Sequence, residues 1–284
     1  MTEAVSITGL TETLPAAEPA PEAISLQGIG LSYSTRRSNR IDTIGHIDLS
    51  IRQGEFVCLL GSSGCGKTSL LRLVAGYEKP TRGDVRLFGN EQKGPGPDIG
   101  VVFQHANLFP WLSVQRNAEF GLRMQNTART ERRDVAFYWL NQVSMSDYSA
   151  LLPHQLSGGM KQRTAIARAL APDPRILLMD EPFGALDAIT RESLQYLIRK
   201  LWLQSGKTVI FITHDVDEAL LLGSRIIVMK GGPGRIEIDM PNGLNAAGSG
   251  SSGEAFPFIR KHVRFAEQRE QLVKALRTVE HSIS

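Results

Sequence analysis

Residues 61–68 read Gly61-Ser62-Ser63-Gly64-Cys65-Gly66-Lys67-Thr68. They follow an apolar run, Glu55-Phe56-Val57-Cys58-Leu59-Leu60. A helical pattern comes next, from Ser69 to Ala75, with Leu70, Leu71 and Val74 spaced to face a sheet. A strand that turns through glycines into a helix makes an anion cradle. Successive backbone N–H groups point inward, and the helix N-terminus adds its dipole. Gly61, Gly64 and Gly66 let the backbone approach phosphate oxygens with no Cβ in the way. Lys67 is placed to reach the β- and γ-phosphates of a nucleotide, and the Thr68 hydroxyl to ligate Mg²⁺. The bland alternative is a Gly/Ser turn with a solvent-facing lysine, and the full spacing in strand–helix context argues against it. The loop alone does not choose among kinases, GTPases, helicases and other users of such a cradle.

Two further stretches narrow the choice. Ile176-Leu177-Leu178-Met179-Asp180 reads as a buried strand ending in a carboxylate, which puts Asp180 where it can hold Mg²⁺ through water. Glu181 follows at once, where a carboxylate can orient and polarise an attacking water; the competing reading is an acid that suits a helix dipole. Leu156-Ser157-Gly158-Gly159-Met160 precedes a good helix over Lys161–Leu170. Ser157 is a natural N-cap, and a capped helix entered through two glycines is a second ready anion site.

With these motifs in place, the chain resembles the ATP-binding-cassette (ABC) transporter ATPases from about Ile24 to Asp239. The resemblance implies an α/β fold of the P-loop NTPase class, of the ABC type. It has a mixed central sheet, an antiparallel β subdomain and an inserted α-helical subdomain. It implies ATP and Mg²⁺ as cofactors. Nucleotide would be held by Gly61, Ser62, Ser63, Gly64, Cys65, Gly66, Lys67, Thr68 and Ser69, with Tyr33 stacking on adenine. Ser157, Gly158, Gly159 and Asp187 of a second copy would close over it. By the same resemblance Glu181, His214 and Gln104 are the catalytic set, and Thr68, Gln104 and Asp180 face the metal. Gln104 would also sense the helical subdomain. Met160 stands where the family usually has glutamine, and Ser62 where proline is frequent; neither removes a phosphate ligand, because backbone N–H groups make those contacts.

The remaining chain is read around this centre. Residues 1–23 are rich in Ala, Pro, Glu and Thr and are expected to be a disordered tail. The cassette is expected over 24–241, with further strands at Ile24–Tyr33, Ile44–Ile51, Asp84–Phe88, Ile99–Phe103, Arg175–Met179, Val209–Thr213 and Arg225–Met229. Residues 107–171 have helical character and no strong strand pattern, as an inserted helical subdomain would. Residues 242–253 read as a flexible Gly/Ser linker. Residues 254–284 read as a helical extension whose apolar face (Ile259, Val263, Ala266, Val273) is interrupted by Glu270.

Composition limits the function. The chain has 284 residues, 42% of them hydrophobic, and a formal net charge of only +3. Such a balance argues against a nucleic-acid partner held by electrostatics, and Arg36–Arg37 and Arg132–Arg133 read as solvated pairs. The two cysteines, Cys58 in a strand and Cys65 in the loop, read as reduced thiols. The amino terminus lacks the apolar segment of a secretory signal, and no apolar run nears the roughly 20 residues that span a bilayer. Membrane work would therefore need a partner to hold the chain there.

Asn107-Leu108-Phe109-Pro110-Trp111-Leu112-Ser113-Val114 is similar to the Pro-Trp segment of importer ATPases for taurine, sulfonates and nitrate. The taurine branch matches best, through Gly94-Pro95-Gly96, Glu181–Ala188 leading into Leu201-Trp202, and Gly231-Gly232-Pro233-Gly234-Arg235. The resemblance implies a homodimer of ATPase subunits peripheral to the cytoplasmic face of the cell (inner) membrane. Its partners would be integral membrane permease subunits and, indirectly, a periplasmic or extracellular solute-binding protein. Two other classes remain as alternatives. One is a soluble ABC ATPase without a transport role, which commonly carries a second cassette or a long coiled coil. The other is a P-loop kinase or GTPase, disfavoured by Leu156–Met160 together with His214.

Overall fold

A computed structural model describes residues 20–34, 40–244, 259–260 and 263–281. Residues 1–19 of the predicted tail, the Arg36–Arg37 pair, and residues 245–258 of the predicted linker and extension lie outside these; the tail ends earlier than expected, because Glu22 and Ala23 open the first strand and Ala23 is buried. Two sheets organise the chain. The first is antiparallel, in the order β2-β1-β4-β5, from β1 (Glu22–Ser34), β2 (Arg40–Arg52), β4 (Arg82–Leu87) and β5 (Asn90–Glu91). The second runs β10-β9-β3-β8-β7-β6. It is built from β3 (Phe56–Gly61), β6 (Ile99–Val102), β7 (Ile176–Asp180), β8 (Thr208–Ile212), β9 (Arg225–Lys230) and β10 (Arg235–Pro241). Its strands pair in parallel except β10, which runs antiparallel to β9, so the sheet is mixed as the fold class requires.

Side chains of β3 alternate between two cores, as strand geometry demands. Phe56, Cys58 and Leu60 join one apolar cluster; Val57 and Leu59 join the other. The second cluster lies against the antiparallel sheet and α1 (Lys67–Val74). The first lies against α2 (Val114–Ala118), α4 (Arg129–Gln142), α5 (Gly158–Leu170), α6 (Ala188–Ser205) and α7 (Val216–Leu222). Both faces of the parallel strands are thus covered, which is why β3 and β8 are buried at every residue and read as continuous apolar runs. Between α2 and α4 lies the short α3 (Phe120–Met124).

Three details differ from the sequence reading. β10 was not expected. Its residues alternate Ile236, Ile238 and Met240 against Arg235, Glu237 and Asp239, the pattern of a strand with one half-covered face. The predicted linker opens on a fixed residue. Asn242 is buried, and its Nδ2 donates to Leu220 O and Gly223 O at 2.9 and 2.8 Å. The C-terminal helix, α8 (Val263–His281), buries Phe265 and Leu272 with partly buried Leu276. Ala266 and Glu270 are exposed, so Glu270 interrupts nothing. Ile259 is buried and Val273 packs partly buried on the same cluster, as expected, so only Ala266 is displaced, its place taken by Phe265 about 100° around the helix. The phenylalanine, with far more surface to remove from water than the alanine, sets the register. The side chain of Val263 lies outside the described residues.

Candidate functional site

Parallel pairing carries the site residues to one edge. β3, β8, β7 and β6 are neighbours and point the same way, so their C-terminal ends lie side by side. β3 ends at Gly61, β7 at Asp180, β8 two residues before His214, and β6 two residues before Gln104. The crevice outside the carboxyl ends of such strands is where open α/β sheets bind ligands.

The loop from Gly61 to Gly66 is shaped by its glycines. Gly64 and Gly66 have φ of 82° and 95°, left-handed conformations that favour glycine. A Cβ on Gly64 would meet nothing within 4 Å, so this glycine serves the turn and leaves its face open. Gly61 is different: a Cβ there would stand 2.5 Å from Met229 O and 2.7 Å from Cys65 Sγ. Gly66 caps α1 without a side chain. Lys67, only 6% exposed, folds back over the loop. Its Nζ donates to Gly61 O at 2.8 Å and Ser62 O at 2.9 Å, with Cys65 Sγ at 3.7 Å. The ammonium is held at the mouth of the cradle among weak neutral acceptors, where a phosphate would be a stronger one.

Thr68 Oγ1 donates to Asp180 Oδ1 at 3.2 Å, which joins the first turn of α1 to the end of β7. Burial pushes the Asp180 carboxyl above its ordinary range. The Thr68 hydrogen bond and the cations Lys67 and Arg72 work the other way. A divalent cation would relieve that penalty. A hydroxyl, a carboxylate and a lysine-lined anion cradle are also the donor set that magnesium–nucleotide complexes use, so these residues fit the implied metal.

Glu181 sits at φ 43°, a left-handed conformation uncommon for a non-glycine residue and of order 1–3 kcal/mol unfavourable. Its N–H donates to Ile212 O at 3.0 Å, and Gly184 N returns to its carbonyl at 3.2 Å. This turn aims the carboxylate across the strand ends, and its Oε2 lies 3.3 Å from His214 Nδ1. Gln104 borders the same space: a Cβ on Gly184 would stand 3.3 Å from Gln104 Nε2 and 3.8 Å from Glu181 Oε2. Tyr33, at the end of β1, is half-exposed and donates through its hydroxyl to Glu78 Oε2 at 2.5 Å. Burial and that carboxylate raise its phenol above the ordinary value.

Ser157, Gly158, Gly159 and Asp187 form a separate group. Ser157 caps α5, its Oγ accepting from Met160 N at 3.3 Å. Asp187 caps α6, its Oδ1 accepting from Thr190 N at 3.0 Å, which holds its carboxyl below the ordinary range. The two caps pack on each other. A Cβ on Gly159 would stand 2.5 Å from Thr190 Cγ2, and one on Gly158 3.8 Å from Leu186 Cδ2.

Sequence reasoning missed what steadies these residues. α5 grips the Gln104 segment: Gln162 Nε2 donates to Phe103 O at 3.1 Å, and Arg168 donates to Ala106 O and Asn107 O at 2.8 and 2.7 Å. A cleft of about 350 Å³ lies between that segment, Gly158 and Leu186. Asp215 caps α7, accepting from Asp217 N and Glu218 N, and so fixes the residue after His214. An acid three residues before another at a helix start was the available signal for this cap.

The geometry defines a phosphate-loop nucleotide-binding site with a carboxylate–histidine pair at the neighbouring strand ends. The ABC transporter family profile matches residues 44–184. The taurine import ATP-binding protein TauB of Pelagibacter ubique (strain HTCC1062) is 42% identical over 257 residues, 90% of this chain and 96% of that protein. The nitrate import ATP-binding protein NrtD of Synechocystis sp. (strain ATCC 27184 / PCC 6803 / Kazusa) is 42% identical over 233 residues, 82% of this chain and 87% of that protein. Among solved structures, a dimeric post-hydrolysis state of the ATP-binding cassette MJ0796 bound to ADP and Pi superposes with a TM-score of 0.70. It is 35% identical and covers 77% of this chain and 98% of that one. The chain belongs to the ABC transporter family.

Proposed function

We propose that this chain hydrolyses ATP to drive uptake of taurine, as the ATPase subunit of an importer at the cytoplasmic face of the cell membrane. The coarser role, ATP-binding subunit of an ABC importer, rests on family membership and on relatives matched over nearly their whole length. Taurine is carried by one observation. TauB proteins of Pelagibacter ubique, Jannaschia sp. (strain CCS1) and Roseobacter denitrificans are 40–42% identical over 96% of their length. The NrtD relative favours nitrate as a second reading, over 87% of its length, and aliphatic sulfonates belong to the same group. Among the described residues no helix is long and apolar enough to cross a membrane, so the solute path is assigned to permease subunits, with a solute-binding protein acting through them.

In this reading Lys67 and the N–H groups of Gly61–Thr68 bind the phosphates, and the Tyr33 ring stacks on adenine. Thr68, Gln104 and Asp180 would hold magnesium, which when bound neutralises charge on the β- and γ-phosphate oxygens. Glu181 orients the attacking water and takes its proton; His214 steadies the Glu181 carboxylate and faces the γ-phosphate. The P–O bond between the β,γ-bridging oxygen and the γ-phosphorus breaks, giving ADP and phosphate. Ser157, Gly159 and Asp187 of a second copy complete each site, so two chains close head to tail on two nucleotides and reopen when the γ-phosphate leaves.

The test is growth on taurine as sole sulfur source, with and without the gene. Loss of growth, restored by wild type and not by Glu181→Gln, is expected. Normal growth on taurine with a defect on aliphatic sulfonates or nitrate would move the solute assignment there.

A further inference from the structure

Four polar side chains outside the proposed catalytic set meet beneath it: Glu218, Thr213, Gln195 and Arg191. Glu218, in the first turn of α7, is 6% exposed, and acids are almost never buried so deeply unless partnered. Its Oε2 accepts from Thr213 Oγ1 at 2.6 Å and its Oε1 from Gln195 Nε2 at 3.1 Å. Thr213 Oγ1 accepts in turn from Asp215 N at 3.0 Å. The residues on either side of His214 are therefore both tied to one carboxylate. Arg191 Nε lies 3.9 Å from Glu218 Oε1, while Arg191 Nη2 donates to Leu186 O at 3.2 Å. Leu186 immediately precedes Asp187, in the segment that packs on Ser157–Gly159.

Plain helix packing does not explain this cluster. Apolar residues of the same size would join α6 to α7 at no loss of stability, because buried charge is a weak stabiliser. The network is also incompletely made: Arg191 Nε and Gln195 Oε1 are buried and have no hydrogen-bond partner. A 3.9 Å approach beside an unused N–H has room to shorten.

Resting on the catalytic reading above, we propose that Glu218 is a positioning residue that couples His214 to the Leu186–Asp187 segment through Thr213 and Arg191. Displacement of Leu186 draws on Arg191, Arg191 on Glu218, and Glu218 on the Thr213–Asp215 backbone that sets the His214–Glu181 distance. The histidine would then reach its working geometry when the segment facing the second copy is engaged.

Thr213→Val removes the hydroxyl and keeps the shape; Thr213→Ser restores the hydroxyl. Thr213→Val and Glu218→Gln should each lower kcat for ATP by roughly 10- to 100-fold. The KM and the affinity for a fluorescent ATP analogue should stay within about twofold, and Thr213→Ser should keep near-wild-type kcat. Arg191→Lys keeps the charge and loses the fork, and combined with Glu218→Gln it should be no slower than the worse single variant. Wild-type kcat in Thr213→Val, or a rate loss matched by equal loss of ATP binding or of folded protein, would overturn the positioning role. Fully multiplicative effects in the Arg191–Glu218 pair would overturn the link to Leu186. Glu181→Gln serves as the control. Wild-type turnover in that variant would instead remove the catalytic reading on which this inference rests.

Discussion

Changing Gly234 to alanine drives a methyl group into the backbone of the phosphate loop, although Gly234 lies outside every stretch assigned to nucleotide. It sits in the turn between β9 and β10, behind the loop. A Cβ there would stand 2.4 Å from Cys65 O and 2.9 Å from Thr43 O, both backbone atoms that cannot swing aside. The turn is locked as well, with Gly234 N donating to Thr43 O at 2.9 Å and Gly45 N to Gly234 O at 3.0 Å. Against ordinary carbon contacts near 3.5 Å, the Cys65 side is short by about 1 Å. If the loop yields, the cradle shifts by that amount, and a misplacement of about 1 Å can lower a positioned reaction roughly 100-fold. If the turn yields instead, overpacking lowers stability by about 1–3 kcal/mol, with roughly 2–4 °C of Tm lost per kcal/mol in a chain approaching this size. A nucleotide titration, steady-state ATPase rates and thermal denaturation of Gly234→Ala separate the two. The expected result is at least a tenfold weaker ATP Kd, about 1.4 kcal/mol, with a Tm lower by several degrees. Gly243→Ala, whose Cβ would meet nothing within 4 Å, is the control and should match wild type. A Gly234→Ala protein with wild-type Kd, kcat and Tm would refute the claim that the turn supports the loop from behind.

Further outcomes follow from the same contacts. Lys67→Ala removes the buried ammonium and should weaken ATP binding roughly 100-fold or more, and unchanged affinity counts against the cradle. Glu181→Gln should bind ATP normally, turn over about 10²- to 10⁴-fold more slowly, and run as a dimer with ATP on size exclusion. Normal turnover by a monomer would end the two-copy reading. Leu272→Ala empties a fully packed position of α8 and should lower stability by about 2–4 kcal/mol, read as a Tm drop of roughly 5–15 °C. No change would mean that α8 does not hold to the cassette in solution. Glu218→Gln carries a pH signature. Burial raises the Glu218 carboxyl above its ordinary value, so its stability contribution is present below the unfolded pKa and is lost as pH rises through the folded one. The variant cannot ionise, so its Tm relative to wild type should climb as pH increases from about 4 to 8. A flat or falling difference would contradict the burial penalty.

How much was legible in the sequence followed the strength of local rules. Strands covered on both faces announce themselves through apolar runs such as 176–179 and 209–212, and so do the polar residues at their exits. β10 was missed because it is covered on one side only and charged on the other, a signal weaker than its neighbours'. The face of α8 was drawn through Ala266 instead of Phe265 because both count alike as apolar letters, and only packing against α7 and β9 separates them. Of the supports of the site, only the Asp215 cap of α7 left a sequence signal. Gln162, Arg168 and Glu218 act across chain separations of 59, 61 and 5 residues, and the partner in each case is a backbone carbonyl or a hydroxyl, which leaves no pattern to read.

Those supports also decide how two sites in a dimer would communicate. α5 is 13 residues long, about 20 Å at 1.5 Å per residue. Its first turn carries Ser157, Gly158 and Gly159, the groups proposed to close on the partner copy's nucleotide. Farther along, Gln162 and Arg168 hold the carbonyls of Phe103, Ala106 and Asn107, which flank Gln104 in the chain's own site. A helix is stiff over this length, so in the proposed dimer a phosphate drawn onto its N-terminus would move the Gln104 segment with it. The cap of α6 leans on the same end, through Thr190 against Gly159, and passes the displacement through Arg191 toward Glu218. One seated γ-phosphate would therefore shift Gln104 by way of α5 and His214 by way of α6 and α7. In the proposed dimer both would belong to the opposite nucleotide site, the one the first nucleotide does not occupy.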